Sequence, residues 1–156
     1  MSSKKHKELK AYCDGKLINI EKVNDEIFAN KIMGDGIAIK PKEGKIYAPC
    51  DGIVNALFDQ TNHAIGIGTK DGMQLLIHCG LDTIYLKDKV FKCKVKRGTK
   101  VKTGELLITF DLEKIKKEKF NDITMLVITD KGNIKEANFV DECITKAKET
   151  VICTLR

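Results

Sequence analysis

The sequence predicts an all-β domain, an antiparallel β-sandwich or barrel-sandwich hybrid with one or two short helices. Short runs of β-branched and aliphatic residues recur along the chain, with glycine, proline, asparagine or aspartate between them. This pattern is typical of short antiparallel strands joined by turns. With 156 residues and 42% hydrophobic residues, the chain can bury one sizeable core, so two independent domains are not expected.

The elements follow in order from this pattern. Residues 26–33 predict a short helix, with Asn24 and Asp25 as its cap and Gly34 as its end. Residues 112–120 are charged and mildly helical, and residues 137–147 fit no single assignment. The predicted strands are 15–20, 36–39, 45–49, 52–54, 64–69, 73–78, 91–95, 106–110, 124–129 and 150–155.

The domain organisation is predicted to be a basic N-terminal tail, residues 1–10, followed by a single domain, residues 11–156. His6 lies in the lysine-rich tail and is expected to be solvated. No apolar stretch has the length of a membrane span, and charged residues rather than a signal-peptide core follow the first residues. We therefore expect a cytoplasmic protein. Its six cysteines include no CxxC pair and are expected to be reduced thiols.

The net charge of +6 raises the question of nucleic-acid binding. The lysines are spread over every segment among 22 acidic residues, and Arg97 and Arg156 are the only arginines. Nucleic-acid-binding proteins usually concentrate charge on one face and use arginine and aromatic residues, but aromatics make up only 6% of this chain. The composition favours a solvated lysine-rich surface and no nucleic-acid partner.

Two segments, 48–54 and 95–107, resemble each other and the paired turns of barrel-sandwich folds such as lipoyl and biotinyl carriers. Those carriers present a lysine at a hairpin tip, typically beside methionine or acidic residues. The tip Lys70-Asp71-Gly72 lacks that setting, which disfavours a swinging-arm carrier. The similarity of the two segments supports the predicted architecture but indicates little about the chemistry of the protein.

His63 and His78 are the strongest candidates for chemistry, since they flank one predicted hairpin whose turn contains Asp71-Gly72. If the loop has an even number of residues, both side chains point to one face of the sheet, with Cβ atoms roughly 5–8 Å apart. A three-residue loop would put them on opposite faces unless a bulge restored the parity. The pattern favours an imidazole pair on one sheet surface.

The chain closely resembles the glucose-type enzyme IIA domain of the bacterial phosphoenolpyruvate:sugar phosphotransferase system, from about Asp14 to Arg156. The most specific block is residues 72–84, Gly-Met-Gln-Leu-Leu-Ile-His-Cys-Gly-Leu-Asp-Thr-Ile, which is similar to the signature around that family's phosphorylated histidine. Residues 61–64 resemble the site of its second histidine. Residues 28–39 and 105–112 also match in order and spacing.

This resemblance implies a function for the histidines. His78 would accept a phosphoryl group at Nε2 from phosphohistidine on the small carrier HPr and pass it to a cysteine of a sugar-specific IIB domain. His63 would donate a hydrogen bond to the phosphoryl oxygens, and Thr61 would fix the tautomer of His63. A neutral imidazole is a good nucleophile near pH 7, and such a transfer requires mainly positioning and charge stabilisation.

The resemblance also implies a surface for partner docking. The apolar rim around the histidines would comprise Phe28, Met33, Phe58, Ile65 and Leu76. Asp25 and Asp82 would face arginines of the partners, and Asp25 could also cap the short helix.

The chain departs from the usual pattern of the family at a few positions. Cys79 replaces the bulky apolar residue that usually follows the active histidine, so oxidation beside the site is conceivable. Ile65 and Leu76 stand where aromatics are frequent, and Met125-Leu126 stands where a proline is common. None of these changes removes a chemical group that the transfer needs.

Three alternatives remain open. A zinc hydrolase would need a third ligand, usually from an HxH pair, and the sequence has none. Zinc shared by His63, His78 and a partner's carboxylate is a possible secondary state, and no cofactor is required. A purely regulatory binding module is the second rival and an accessory nucleic-acid role the third. The expected partners are HPr, the IIB/IIC permease and regulatory targets, with a monomer acting transiently at the inner face of the membrane.

Overall fold

A computed structural model describes residues 7–58, 60–86 and 89–156, and all strand pairs in it are antiparallel. The predicted all-β sandwich with short helices is confirmed. The helices are α1 (Glu26–Ala29) and α2 (Leu112–Lys117), and 3₁₀ turns cover Ile20–Lys22 and Thr83–Tyr85. The strands are β1 (Lys7–Lys10), β2 (Gly15–Asn19), β3 (Gly36–Pro41), β4 (Lys45–Tyr47), β5 (Gly52–Leu57), β6 (Ala64–Gly68), β7 (Gln74–Leu81), β8 (Phe91–Cys93), β9 (Lys100–Val101), β10 (Leu106–Phe110), β11 (Asn121–Asp130), β12 (Ala137–Phe139), β13 (Cys143–Thr145) and β14 (Val151–Leu155).

The strands of the described residues form three sheets. The largest has the order β13-β2-β3-β11-β7-β6-β5-β9, and the smaller sheets are β4-β10-β8 and β1-β14-β12. One face of the large sheet packs on the main core, which includes Leu75, Ile77 and Leu126. Its other face carries a second, smaller cluster that includes Phe28, Met125 and Val127.

Strand β11 shows why the centre of this sheet is apolar on both faces. Seven consecutive residues, 122–128, are buried, although a half-exposed strand would alternate. Met125 and Val127 point into the second cluster, whereas Leu126 and Ile128 point into the main core. The second cluster, under the short helix α1, is therefore the layer on which the histidines lie.

The predicted tail boundary is wrong for residues 7–10, which form β1. This strand pairs with β14, where Leu9 lies opposite Cys153, and the Leu9 side chain is fully buried. The sequence Lys-Glu-Leu-Lys contains one apolar residue only, so no alternating pattern revealed the strand. Residues 1–6, which include His6, lie outside the described part of the chain.

The predicted helices form but are shorter than expected. Helix α1 ends at Ala29 instead of Met33, because Lys31 has a φ of +56° and Gly34 a φ of +143°, which α-helical residues do not adopt. Helix α2 ends at Lys117. The unassigned residues 137–147 contain the two short strands β12 and β13.

The two echoing turn segments lie side by side. Gly52 in β5 pairs with Val101 in β9, and the N–H of Ala48 donates to the carbonyl of Glu105. The two segments are therefore neighbours in the fold. All six cysteines are free, and none of the described helices is long and apolar enough to span a membrane.

Candidate functional site

Strand β7 places His78 on the second apolar layer of the molecule. Its alternate residues Leu75, Ile77 and Cys79 are buried in the main core, so His78 points to the opposite face and is half-buried there. Its neighbours across the sheet are Ala64 on β6 and Met125 on β11. The small side chain of Ala64 leaves room beside the His78 ring.

The two histidine rings do meet, but the hairpin loop between them does not have the even number of residues that the prediction of their contact favoured. Gly68 pairs with Gln74 and the N–H of Thr69 donates to the carbonyl of Met73, which leaves a three-residue loop, 70–72. In that register His63 lies opposite Cys79 rather than His78. The rings still meet because His63 precedes β6 and follows Asn62, whose φ is +58°, so strand alternation does not govern its side chain.

The two imidazoles are in contact. Their ring centroids lie 4.8 Å apart with an angle of 86° between the planes. Phe28 packs 5.3 Å from the His78 ring, and Phe58 and Phe91 pack 5.4 and 6.4 Å from the His63 ring. The pair is therefore enclosed by aromatic groups, with His63 only 4% exposed.

Hydrogen bonds at Nδ1 of each histidine determine which tautomers the two rings can adopt. Nδ1 of His78 lies 2.9 Å from the carbonyl oxygen of Gly80. Since a carbonyl only accepts, this bond places the proton on Nδ1 and leaves a lone pair on Nε2. Nδ1 of His63 is hydrogen-bonded to the hydroxyl of Thr61. When that hydroxyl donates, the proton of His63 is on Nε2, which is then a donor.

Burial keeps both rings neutral. Burial, and to a smaller extent the neighbouring His78, together lower the pKa of His63 to about 4. Burial also lowers the pKa of His78, while the Gly80 carbonyl, Asp25 and Asp82 raise it. At neutral pH the site holds one nucleophilic nitrogen beside one hydrogen-bond donor, and neither ring carries a full charge.

Only some of the residues predicted to form an apolar rim around the histidines are exposed. Met33 and Phe58 are 37% and 44% exposed, and Leu76 is half-buried against the second cluster. Phe28 is buried and forms the floor under His78 instead. The placement of Ile65 is wrong: it faces the main core opposite Ile77 and is fully buried, because its strand parity is opposite to that of the site face.

Both predicted acids lie close enough to His78 to act on its pKa. The carboxylate of Asp25 caps α1 by accepting from the backbone N–H groups of Ile27 and Phe28. Asp82 is exposed, has a φ of +59°, and makes no capping hydrogen bond to the turn that follows. Asp25 is therefore both a cap and a site residue, and Asp82 presents its carboxylate to solvent.

Sequence reasoning missed part of the apolar surface. Ile27, Ile32, Ile84 and Tyr85 are 50–73% exposed and belong to the two segments that carry the acids. Ile32 is followed by Met33, and Ile84 is followed by Tyr85 in the 3₁₀ turn. These adjacent apolar pairs outside the predicted strands were the available signal. We name the exposed residues Ile27, Ile32, Met33, Phe58, Ile84 and Tyr85 the apolar apron.

Cys79 does not expose a thiol at the site. Its side chain is 1% exposed on the main-core face, and burial raises its pKa well above the usual range. The reactive thiolate is therefore disfavoured, and the expected oxidation beside His78 does not fit this geometry.

A metal would need ligands from elsewhere. Within the described ranges, no group of three or more histidine, cysteine, aspartate or glutamate side chains is placed to hold an ion. His63 and His78 could supply two nitrogen ligands of the four that zinc usually takes.

The fold and the site together define a class of protein: an antiparallel β-sandwich with a buried imidazole and a half-buried imidazole in contact on one face of its large sheet. The model of the family described as phosphoenolpyruvate-dependent sugar phosphotransferase system, EIIA 1 matches residues 7–134. The chain belongs to this family, whose members are phosphotransferase components of sugar transport.

One solved structure, described first, supports this assignment. Glucose permease IIA from Mycoplasma capricolum is 34% identical, with 97% of each chain covered and a TM-score of 0.89. Csd3 from Helicobacter pylori is 12% identical over 91% of this chain and 36% of its own, with a TM-score of 0.43.

Proposed function

We propose that this protein is a phosphoryl carrier that accepts phosphate from phospho-HPr on Nε2 of His78 and passes it to the cysteine of a sugar-specific IIB domain. The observation that carries this proposal is the hydrogen bond from Nδ1 of His78 to the Gly80 carbonyl. It leaves the lone pair of Nε2 free on the face that carries the apolar apron.

Each transfer exchanges one bond for another at phosphorus. In the first step the Nε2 lone pair of His78 forms a new P–N bond as the P–N bond to the donor's histidine breaks. In the second step a thiolate of the IIB domain forms a P–S bond as the P–N bond to His78 breaks, and the electron pair returns to Nε2. Nε2 of His63 would donate a hydrogen bond to the phosphoryl oxygens, held in that tautomer by Thr61. The low pKa of His63, about 4, keeps this donor uncharged before the dianionic group arrives.

We propose that the apolar apron, with Phe28 and Leu76 beneath it, is the docking surface for both partners. Apolar surface of this kind is typical of protein interfaces when polar groups surround it. Asp25 and Asp82 would meet arginines of HPr and of the IIB domain and increase the rate of encounter. The protein would act as a monomer in the cytoplasm and dock transiently at the membrane-bound permease.

The test is phosphorylation with phosphoenolpyruvate, enzyme I and HPr, followed by mass spectrometry of the intact chain. We expect one acid-labile phosphoryl group, which is absent when HPr is omitted and absent in His78→Gln. An undiminished label in His78→Gln would contradict the assignment of the acceptor. Unphosphorylated chain that still binds its partners would instead favour a regulatory binding module.

His63 is proposed to act in onward transfer. His63→Gln should still accept phosphate but pass it on slowly, since loss of one preorganised donor commonly adds about 3–4 kcal/mol to a barrier. Normal onward transfer by this variant would show that the role of His63 is structural.

Zinc is proposed only as a secondary state, shared between His63, His78 and a carboxylate of a partner. Titration of the isolated chain with zinc, compared with His63→Gln, measures whether the histidine pair binds the ion. Affinity that is unchanged in the variant would contradict this site.

A further inference from the structure

The chain bends sharply after His78, and this bend sets the orientation of the ring. Gly80 has a φ of +80° and Asp82 a φ of +59°, and together they turn β7 into the 3₁₀ turn Thr83–Tyr85. The carbonyl of Gly80 is the group that accepts the hydrogen bond from Nδ1 of His78. The groups that hold this bend therefore also hold the carbonyl that accepts from Nδ1 of His78.

Thr83 holds the bend through both branches of its side chain. Its hydroxyl donates to the carbonyl of Cys79 at 2.6 Å, and the residue is only 1% exposed. A Cβ built on Gly80 would lie 2.3 Å from the Thr83 methyl group and 2.9 Å from the carbonyl oxygen of Asn121. Thr83 therefore packs directly on the Gly80 backbone while it hydrogen-bonds to the preceding peptide.

The backbone of Cys79 is also tied to the second histidine. The N–H of Cys79 donates to the carbonyl of His63 at 2.7 Å. One short stretch of backbone thus connects His63, the Gly80 carbonyl and Thr83. Because the methyl and hydroxyl of Thr83 are both engaged, rotation of its side chain would disturb this stretch directly.

We propose that Thr83 is a positioning residue: its hydroxyl and methyl fix the bend at Gly80, so that the Gly80 carbonyl holds the His78 proton on Nδ1 and Nε2 remains the nucleophile. The kinetic part of this inference rests on the proposed function, whereas the tautomer can be measured without it. In this proposal Thr83 acts through the backbone, by way of its hydrogen bond to the Cys79 carbonyl and its packing on Gly80.

A buried threonine that donates to a carbonyl can also be merely structural, and Thr145 provides the matched control. It is 4% exposed, and its hydroxyl donates to the carbonyl of Cys13 at 2.9 Å, with the carbonyl of Gly15 as a second acceptor at 3.2 Å. It lies in β13, at the edge of the large sheet and four strands away from β7. Thr145→Val therefore removes a comparable buried hydrogen bond at a distance from the histidines.

The first experiment reads the tautomer from the ring ¹⁵N chemical shifts of His78 in the full-length chain at about pH 8, where imidazole is neutral. We expect the proton on Nδ1 in wild type, Thr83→Ser and Thr145→Val, and a mixture of both tautomers in Thr83→Val. If Thr83→Val does not fold, Thr83→Ala removes the hydroxyl without adding bulk. A hydroxyl-free variant whose proton stays on Nδ1 as fully as in wild type would overturn the proposal.

The second experiment measures the rate of phosphoryl acceptance from phospho-HPr. Thr83→Val should be roughly 10-fold to 100-fold slower, the usual cost of a small misplacement of a reacting group. Thr83→Ser should recover most of the rate, and Thr145→Val should match wild type. Equal slowing of Thr83→Val and Thr145→Val would overturn the positioning role. A wild-type chain that accepts no phosphate would contradict the proposed function and leave the tautomer experiment to decide the role of Thr83.

Discussion

The low pKa of His63 predicts a stability that falls with acid in a defined range. The folded-state pKa is about 4, against an ordinary value of 6.5, so between these values the unfolded chain binds a proton that the folded chain does not. Stability is then fully present above about pH 6.5 and is lost as the pH falls towards 4. The cause is burial, since a charged imidazole would lose its hydration at a site that is 4% exposed.

The magnitude follows from these two pKa values. The lost stability is about 2 kcal/mol by pH 5 and approaches roughly 3 kcal/mol below pH 4. Urea unfolding of wild type and His63→Gln at pH 8 and pH 5, with a reductant present for the free thiols, isolates this contribution. Other titrating groups are common to both chains and cancel in the difference between them.

We expect wild type to lose about 2 kcal/mol more than His63→Gln between these two pH values. His78 remains in both chains, so its own titration does not mimic the effect. Equal losses in wild type and in His63→Gln would refute the reasoning that His63 is held neutral by burial.

Three further predictions concern the burial of Ile65, the bend at Gly80 and the ion pair of Lys40. Ile65→Ala should cost about 2–5 kcal/mol of unfolding free energy, because Ile65 is fully buried. Phe58→Ala, at a residue 44% exposed, should keep stability within about 1 kcal/mol of wild type but slow phosphoryl transfer. If Ile65 were the docking residue instead, urea unfolding and transfer rates would show Ile65→Ala to be stable and slow in transfer. Gly80→Ala should destabilise the chain by about 1–3 kcal/mol, because its φ is +80° and the added Cβ meets neighbours at 2.3 and 2.9 Å; an unchanged urea midpoint would contradict the strained bend. Lys40→Met should lower the unfolding free energy by about 1–3 kcal/mol, because the buried Asp122 carboxylate, 1% exposed, would lose the ammonium group that lies 2.5 Å away. Lys40→Gln should also be less stable than wild type. Urea unfolding that gives wild-type stability for both variants would show that the ion pair does not contribute.

Local patterns predicted most of the strands correctly. The predicted strand at residues 106–110 matches β10, and the predicted strand at residues 124–129 lies within the longer central strand β11. Strand β1 could not be predicted, since its pairing with β14 joins the two ends of the chain. Such a contact depends on the tertiary fold and leaves no periodic pattern in four residues.

The candidate site was predicted in part. The two histidines were found from their spacing and from the family signature, but their contact arises from the irregular backbone at Asn62, and the three-residue loop would otherwise have separated them. Ile65 was assigned to the rim by position alone, and strand register places it in the core. The sequence placed Thr83 within the family signature but indicated no role for it, because its hydrogen bond to Cys79 forms only in the folded bend.

The most direct test of the account is the position of the phosphoryl group. The chain should be phosphorylated by phosphoenolpyruvate, enzyme I and HPr, and ³¹P and ¹⁵N NMR should then identify the modified nitrogen. The account predicts a single phosphoryl group on Nε2 of His78, retained in His63→Gln and absent in His78→Gln. A phosphoryl group on His63, or on Nδ1 of His78, or none on a chain that is folded, would contradict it.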